Sequence, residues 1–377
     1  MKVVLVGPAN VVHMQRWAEA LANRNVRLTL VSQHATGGWT PPSNVNLRLL
    51  PRQGLLGYFS NVWAFRKILQ DELPDLVNAH YASGYGTTAA ITGYKPLVLS
   101  VWGSDVFDFP YQSWVAARLI RWNLRRADRV ASTSQVMAEQ VRRLVPEIRG
   151  INITPFGVEC DRFAPRRRPD EGSGQITIGT VKTLAGKYGV DVLIDAFAQL
   201  IRDPDPQVGG IRERLCLLLV GDGPDRAKLE AQVDALGIRE RTTFAGKVAH
   251  ADVPKWLNRL DVYVAASRLD SESFGVAVIE ASSCELPVVV SDAGGLPEVV
   301  RDGITGIVVP RDDSEALARA LKRLVMDAAL RLNMGRAGRA LVQREYEWER
   351  CIDKMLDCYA SVIRAHGARR RGVSVGG

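Results

Sequence analysis

The segment 262–290, VYVAASRLDSESFGVAVIEASSCELPVVV, contains a strand, a polar loop, a helix and a second strand. The runs 262–265 and 288–290 are short and β-branched, which is typical of buried strands. Between them, the mostly apolar stretch 274–283 has the length of a helix. Two strands joined through a helix indicate a parallel sheet with helices packed on its faces.

The same alternation of short apolar runs and helix-length segments extends over most of the chain. In the first half we expect strands at 2–6, 27–32, 76–78, 96–101, 129–132 and 151–154. We expect helices there at 14–24, 58–71, 113–126 and 136–144. In the second half we expect strands, each followed by a helix-like stretch, at 176–180, 215–220, 242–244, 262–265, 288–290 and 307–309. The pattern predicts an α/β fold with two Rossmann-like, doubly wound parallel sheets.

The domain boundaries are predicted from length and composition. A chain of 377 residues is typical of two domains. The polar stretch 165–174 contains two prolines and two glycines, and it predicts a linker between domains 1–164 and 175–350. We expect the two domains to face each other across a cleft.

The C-terminal region has a helical pattern from 314 to 366, which is longer than one globular helix. We expect it to break near Gly335 or Trp348. The basic end of the chain, 368–377, predicts a disordered tail.

Positive charge is concentrated in the first half of the chain. The net charge is +8, and residues 1–165 contain 18 Lys and Arg against 11 Asp and Glu. This excess suggests an anionic partner such as nucleic acid, a membrane surface or a phosphorylated substrate. The chain has no helix-turn-helix or RNA-recognition signature, so nucleic acid is the least favoured of the three.

Several classes of protein are disfavoured by what the sequence contains. Its five cysteines are scattered without a CxxC pair, which argues against a disulfide framework or a zinc site and suits a reducing cytoplasm. It has no Walker A, HExxH or GxSxG motif and no apolar run of about 18 residues. The DxD at 203–205 lies in a turn-like insert, so we expect neither a metal nor another cofactor.

Glu272 and Glu280 flank the start of the helix in the opening segment, with seven residues between them. The backbone amides of 274–276 would be unpaired at that helix start, where the helix dipole favours a phosphate. The two carboxylates could then accept hydrogen bonds from sugar hydroxyls on either side of it. Alternatively, Glu272 caps the helix and Glu280 is a solvated surface residue, although its neighbours look buried.

Glycine-bearing loops follow four strands of the second domain. The first carries Lys182 and Lys187 after Gly179, and two lysines at this spacing can converge on a diphosphate. The others begin at Gly221, at Gly246-Lys247-Val248 and at Ser291-Asp292-Ala293-Gly294-Gly295. Each can be explained as a tight turn, but four on one sheet edge favour a binding site.

The first domain offers candidates for an acceptor side. Asp105 follows a strand and could accept a hydrogen bond from a hydroxyl, or it could cap a helix. Other polar or aromatic residues beside the first-domain strand ends are Asn10, His13, His80 and Trp102. The helix 114–126 combines four arginines with two tryptophans, and its basic face could contact an anionic membrane or be merely solvated.

Together, Glu272, Glu280, the following Gly294-Gly295-Leu296-Pro297-Glu298 and the loop 182–187 resemble the retaining glycosyltransferases of family 4. The resemblance implies the GT-B fold, a final helix (about 351–367) that returns to the first domain, and a donor that is a UDP- or GDP-sugar. Trp102 stands where many relatives have histidine.

The resemblance also assigns roles. It implies that Glu272 binds the donor sugar, that Glu280 binds the ribose, and that Lys182 and Lys187 hold the diphosphate without a metal. The catalytic set is Glu272, Asp105, Lys187 and Lys182. The full nucleotide-sugar set is Gly179, Lys182, Lys187, Gly221, Gly246, Lys247, Val248, Glu272, Phe274, Gly275, Val276 and Glu280.

The sequence thus predicts a hexosyltransferase of cell-surface polysaccharide, lipopolysaccharide or glycolipid synthesis. It would be cytoplasmic and peripheral to the membrane, with a glycan or polyprenyl-diphosphate-linked acceptor. Two alternatives stay open. A GT-B epimerase would turn over the donor without an acceptor, and a non-catalytic protein would bind a nucleotide sugar without turnover.

Overall fold

The computed structural model describes residues 1–166 and 174–373, with side chains as far as Arg369. The chain forms two compact units. Unit 1 contains Met1–Pro155 together with the C-terminal segment from Cys351, and unit 2 contains Phe156–Arg350.

Unit 1 is built on a parallel seven-stranded sheet with the order β3-β2-β1-β4-β5-β6-β7. Its strands are β1 Lys2–Val6, β2 Arg27–Ser32, β3 Val45–Leu49, β4 Leu76–His80, β5 Leu97–Val101, β6 Arg129–Ser132 and β7 Ile151–Ile153. Its helices include α1 Val12–Asn23, α2 Gly54–Ser60, α3 Val62–Glu72, α4 Gly84–Thr92, α5 Ser104–Phe107, α6 Trp114–Arg126 and α7 Gln135–Leu144. The strand order reverses direction beside β1, as in doubly wound folds.

Unit 2 repeats this architecture with six parallel strands in the order β10-β9-β8-β11-β12-β13. They are β8 Ile176–Val181, β9 Leu215–Val220, β10 Thr242–Gly246, β11 Val262–Ala265, β12 Val288–Ser291 and β13 Gly306–Val309. The helices are α8 Val190–Ile201, α9 Pro206–Gly209, α10 Arg226–Ala235, α11 Val253–Leu257, α12 Val276–Ser283, α13 Ser314–Met326 and α14 Ala328–Glu345. The α/β class and the two parallel sheets are confirmed.

The central strands are apolar because helices cover both faces of each sheet. Every residue of β4 and β5 is buried. Asn78 is a polar exception within β4, and its amide donates to Val98 O and Ser100 Oγ. Side-chain caps begin several helices, as where Ser113 accepts from the Ala116 amide at the start of α6.

The boundary between the units lies earlier than the sequence predicts. Segment 156–166 belongs to unit 2, because Val158 pairs with Glu347 and Ser283 Oγ donates to Phe163 O at 2.7 Å. Unit 1 therefore ends its first segment at Pro155 and not at 164. Most of the predicted linker, 167–173, lies outside the described residues.

The C-terminal helices also differ from the prediction. The break at Trp348 is present, since α15 Trp348–Val373 begins there, but Gly335 lies inside α14 and a further break occurs at Asp327. The backbone of 368–373 is helical where a disordered tail was predicted, and 374–377 lie outside the described residues. From Cys351 onward, α15 packs in unit 1, where Tyr359 Oη donates to Asn78 Oδ1 at 2.7 Å.

Among the described helices, none is both long enough and apolar enough to cross a bilayer.

Candidate functional site

The loops after β8, β9 and β10 surround a cavity of about 640 Å³ in unit 2. They lie together because the strands are parallel, so their carboxyl ends meet at one edge of the sheet. The residues that line the cavity include Lys182, Thr183, Gly221, Asp222, Lys247, Val248 and His250. This edge also carries the loop after β11, which contains Glu272.

Lys182 and Glu272 form an ion pair on this edge, with 2.9 Å between Nζ and Oε1. Both side chains are largely buried, at 20% and 14% exposed. Burial is the largest single influence and lowers the pKa of Lys182, but the Glu272 carboxylate, Tyr263 and Tyr188 together outweigh it, so the pKa is raised. Lys182 is therefore a fixed cation that stands 4.5 Å from the Tyr188 ring centre.

Lys187 contacts the same ring, with Nζ 4.8 Å from its centre, and its side chain is exposed. Arg268 fixes the loop that carries it. The Arg268 guanidinium binds both oxygens of Asp191 at 2.8 Å, and its backbone amide donates to Lys187 O. The ammonium groups of Lys182 and Lys187 thus lie over the same Tyr188 ring, on a loop that Arg268 holds in place. Two cations in this position are suited to binding a diphosphate.

Glu280 is only 6% exposed and receives a hydrogen bond from the histidine in the cavity wall. His250 Nε2 lies 3.1 Å from Glu280 Oε1, and Arg162 Nη2 lies 3.2 Å from His250 Nδ1. Arginine can only donate, so Nδ1 must accept and Nε2 carries the proton that it donates to Glu280. This chain of donors fixes the histidine tautomer and holds the carboxylate.

The loop before α12 is held by close backbone packing. A side chain on Gly294, whose φ is +51°, would overlap the carbonyl oxygens of Asp270 and Glu272. The Gly295 amide donates to Glu272 O at 3.0 Å, which fixes the backbone that presents the Glu272 carboxylate. The helix then starts at Val276, and its first amides have no acceptor within the helix itself.

The glycine-bearing turns after β8 and β9 interlock. Gly221 has φ +141°, and a Cβ there would overlap the Lys182 carbonyl oxygen. The Gly221 amide donates to Gly246 O at 2.9 Å. Gly179 is different, because it lies inside β8 and its missing side chain leaves room for Leu218 O of the next strand. Gly179 therefore lies in the strand and not in the loop, and its assignment to the nucleotide-sugar site stays a prediction.

In unit 1, Asp105 organises a loop. It is 1% exposed; one oxygen accepts from the amides of Trp102 and Gly103 at 3.0 and 2.9 Å, and the other accepts from Ala82 at 2.8 Å. Burial raises its pKa, against the effect of those amides. The geometry favours the capping alternative over contact with a substrate.

The other acceptor-side candidates lie in two different places in unit 1. His80 is buried against Trp102, with 5.1 Å between ring centres, and His13 approaches the same indole at 6.3 Å. Burial lowers the pKa of His80 to about 3, so its ring is neutral. Asn10 instead lines a second cavity, of about 690 Å³, within unit 1. Across the described part of the chain, no three metal-ligating side chains come together.

Two family models match the chain, one to each unit. Residues 2–134 match "Glycosyl transferase 4-like", and residues 161–341 match "Glycosyl transferases group 1". A mannosyltransferase of Mycolicibacterium smegmatis is 30% identical over an alignment of 280 residues, and the match covers 70% of this chain and 69% of the relative. Its name is GDP-mannose-dependent alpha-(1-6)-phosphatidylinositol monomannoside mannosyltransferase. The chain belongs to the group 1 glycosyl transferases.

The match to a second relative covers a smaller part of each chain. The D-inositol 3-phosphate glycosyltransferase of Saccharomonospora viridis is 34% identical over 254 residues, 63% of this chain. That match spans 57% of the relative's length.

Solved structures share the fold of this family member. Sucrose-phosphate synthase of Thermosynechococcus elongatus has a TM-score of 0.83 at 21% identity, over 97% of this chain and all of that one. The Anabaena protein HepE, crystallised with UDP, has a TM-score of 0.80 at 20% identity, over 96% of this chain and all of that one. The GT-B fold is confirmed.

The residues that hold the site of this glycosyl transferase lie outside its sequence motifs. His250 lies three residues after Lys247, in a loop that the glycine pattern already singles out, so its position was a usable signal. Arg162 and Arg268 lie in no motif, and only the folded structure brings them to His250 and Asp191.

Proposed function

We propose that the chain transfers a hexosyl unit from a UDP- or GDP-sugar to a glycan or lipid-linked acceptor, with retention at the anomeric carbon and without a metal. The observation that carries the proposal is the ion pair of Lys182 with Glu272, beside Lys187 and the cavity in unit 2. Family membership supports the class of reaction.

The donor would bind at the strand ends of unit 2. The ammonium groups of Lys182 and Lys187 would hold the diphosphate, and the first amides of α12 would add their dipoles. Negative charge grows on the leaving diphosphate as the glycosidic bond breaks. Fixed cations at that point stabilise the transition state more than the ground state, which is what accelerates the reaction.

The two carboxylates would orient the donor. Glu272 accepts one hydrogen bond from Lys182 and keeps capacity for a sugar hydroxyl, because a carboxylate accepts about four hydrogen bonds. Glu280, held by His250, would accept from the ribose. The acceptor would bind unit 1.

The test is a panel of UDP- and GDP-sugars, scored for release of the nucleoside diphosphate with and without EDTA and with membrane extract as an acceptor source. We expect release from one donor, unchanged by EDTA and lost in Glu272→Gln. A matched control is Glu315→Gln, since Glu315 is 79% exposed on α13. For the active donor, NMR of the product should show the anomeric configuration of the donor.

Each other outcome overturns part of the proposal. If the donor is converted but no sugar is transferred to an acceptor or to water, an epimerase is favoured. If the donor binds but no nucleoside diphosphate is released, a non-catalytic protein is favoured. Loss of release in EDTA would contradict the metal-free mechanism. An inverted product would contradict retention.

A further inference from the structure

Large apolar side chains are exposed on two neighbouring parts of unit 1. On α2 and α3 they are Leu55, Leu56, Phe59 and Trp63, which are 82%, 82%, 50% and 76% exposed. On α6 and the turn before it they are Tyr111, Trp114, Val115 and Trp122. We call these eight side chains the apolar face. Exposed patches of this kind usually mark a binding surface.

Two residues of the apolar face, Leu55 and Phe59, line the cavity in unit 1. Helices α2 and α6 both pack on α4. Leu55 and Phe59 line the cavity while remaining exposed, so they lie at its rim, and Leu119 of α6 lines it as well. The polar side chains of Asn10 and His34 also line this cavity of about 690 Å³. It therefore offers apolar and polar contacts to one ligand.

The charge of the same segments has a single sign. The stretches 51–70 and 109–127 contain seven basic residues and no acidic one. These are Arg52, Arg66, Lys67, Arg118, Arg121, Arg125 and Arg126. The Arg66 and Arg126 guanidinium groups lie over the rings of Trp63 and Trp122, at 5.1 and 5.6 Å. Exposed tryptophans with arginines beside them suit the interface of a bilayer, where apolar side chains insert and cations contact headgroups.

We infer that the apolar face docks on an anionic lipid bilayer and brings the cavity in unit 1 to the lipid surface. The acceptor is then an amphiphile whose polar end enters the cavity while its hydrocarbon chain stays in the bilayer. The charge favours this partner, because the seven cations of two stretches that contain no acidic residue, of which Arg125 pairs with Glu147, complement anionic headgroups and would repel a second copy of the same surface. The statement about the acceptor rests on the proposed function, whereas docking does not.

The experiment measures binding of the full chain to vesicles of phosphatidylcholine alone and of phosphatidylcholine with phosphatidylglycerol, by co-sedimentation without any nucleotide sugar. We expect binding that needs phosphatidylglycerol. The double variant Leu55→Asn/Leu56→Asn should weaken partitioning about tenfold or more, since two leucines no longer insert. Arg118→Gln/Arg121→Gln should weaken it about fivefold for each charge.

Matched controls come from α14 of unit 2. Leu332→Asn removes a leucine that is 49% exposed, and Arg336→Gln removes an exposed cation, and both should bind vesicles like the original chain. Circular dichroism should be unchanged in every variant, since each altered side chain is solvent-exposed.

Three results would overturn the inference: no binding to anionic vesicles, equal binding by the apolar-face variants and the controls, or a lipid-free dimer that Leu55→Asn/Leu56→Asn dissociates. Failure of the proposed function is separable, because it is scored by release of nucleoside diphosphate. A chain that releases nucleoside diphosphate but ignores vesicles refutes only the docking, and one that binds vesicles but no donor refutes only the transferase.

Discussion

His250 holds the Glu280 carboxylate, although it lies just after the motif Gly246-Lys247-Val248 and not within it. Its Nε2 proton points to a carboxylate that is almost fully buried, and Arg162 prevents the other tautomer. A buried carboxylate that loses such a donor is left with an unpaired charge, which favours its reorientation. The histidine is therefore a positioning residue for the ribose side of the site.

Replacing His250 with alanine should weaken binding of whichever nucleoside diphosphate the chain prefers. We expect the Kd to rise about tenfold or more, the usual effect of losing a hydrogen bond to a charged group. His250→Gln retains an N–H donor and should recover part of the affinity. Isothermal titration calorimetry with UDP and GDP measures both. Equal Kd values for the alanine variant and the original chain would refute the role.

The buried ring of His80 should make unit 1 sensitive to acid. Burial holds its folded pKa at about 3, below the ordinary 6.5, so the unfolded chain binds the proton more readily. As the pH falls from 6.5 to about 3, protonation of this histidine in the unfolded chain should lower the free energy of unfolding by up to about 1.4 kcal/mol per pH unit.

His80→Phe removes that titration and keeps a ring in the site. Both imidazole nitrogens lack a hydrogen-bond partner within the described structure, so phenylalanine forfeits no such bond. Urea unfolding at a series of pH values should show a flatter acid dependence for the variant. An acid dependence as steep as that of the original chain would contradict the account.

At the residue scale, the strand–loop–helix periodicity is local, and it correctly predicted that Lys182, Glu272 and Lys247 lie in loops that follow strands. It could not pair Lys182 with Glu272, which lie 90 residues apart. For Asp105 the sequence left two roles open, contact with a hydroxyl or capping. Its three amide donors are those of Ala82, Trp102 and Gly103, and one of them comes from a distant loop, so its capping role is seen only in the folded structure.

Elements with a strong apolar period were predictable, and β3 and α4 are among those of unit 1 that were not. The edge strand β3 is short and half polar, with Asn46 and Arg48 alternating with apolar residues. Helix α4 has the sequence GYGTTAAIT, whose glycines and threonines are poor helix formers. Six of its nine residues are buried, so packing against the sheet and neighbouring helices overrides propensity.

The interlocked turns after β8 and β9 should tolerate no side chain at Gly221. Its φ of +141° is strained for any other residue, and a Cβ would overlap the Lys182 carbonyl oxygen. Gly221→Ala should lower the free energy of unfolding by about 2 kcal/mol or more and should displace Lys182. Urea unfolding followed by circular dichroism measures the loss.

Gly209→Ala is the matched control. It lies in α9, and an alanine methyl group there would have no other atom within 4 Å, so the change should be neutral or stabilising by up to about 1 kcal/mol. If Gly221→Ala were as stable as this control, the turns would not be packed as described.

On the scale of the whole molecule, the C-terminal helix completes the first unit of the chain. Tyr359 is fully buried, and its hydroxyl donates to Asn78 in β4, 281 positions earlier. Burial raises the pKa of this phenol, which keeps it protonated as a donor. No local pattern in the sequence predicts this hydrogen bond.

Tyr359→Phe should destabilise unit 1 by about 1 kcal/mol, because Asn78 Oδ1 loses a buried donor. Hydrogen exchange with mass spectrometry should show lower protection in β4 and β5 and unchanged protection in β9 and β11 of unit 2. Val115→Ala, a change on a side chain of α6 that is 53% exposed, is the control within unit 1. Uniform loss of protection in both units would contradict an effect confined to unit 1.

The most direct test of the whole account is the affinity of Lys187→Met for UDP and GDP by isothermal titration calorimetry. Lys187 is exposed, so the variant should fold, and Lys228→Met on the exposed side of α10 is the control. We predict one preferred nucleoside diphosphate, a Kd about tenfold weaker in Lys187→Met, and no change for the matching nucleoside or for Lys228→Met. An unchanged diphosphate affinity in Lys187→Met would contradict the assignment of unit 2 as the nucleotide-sugar site.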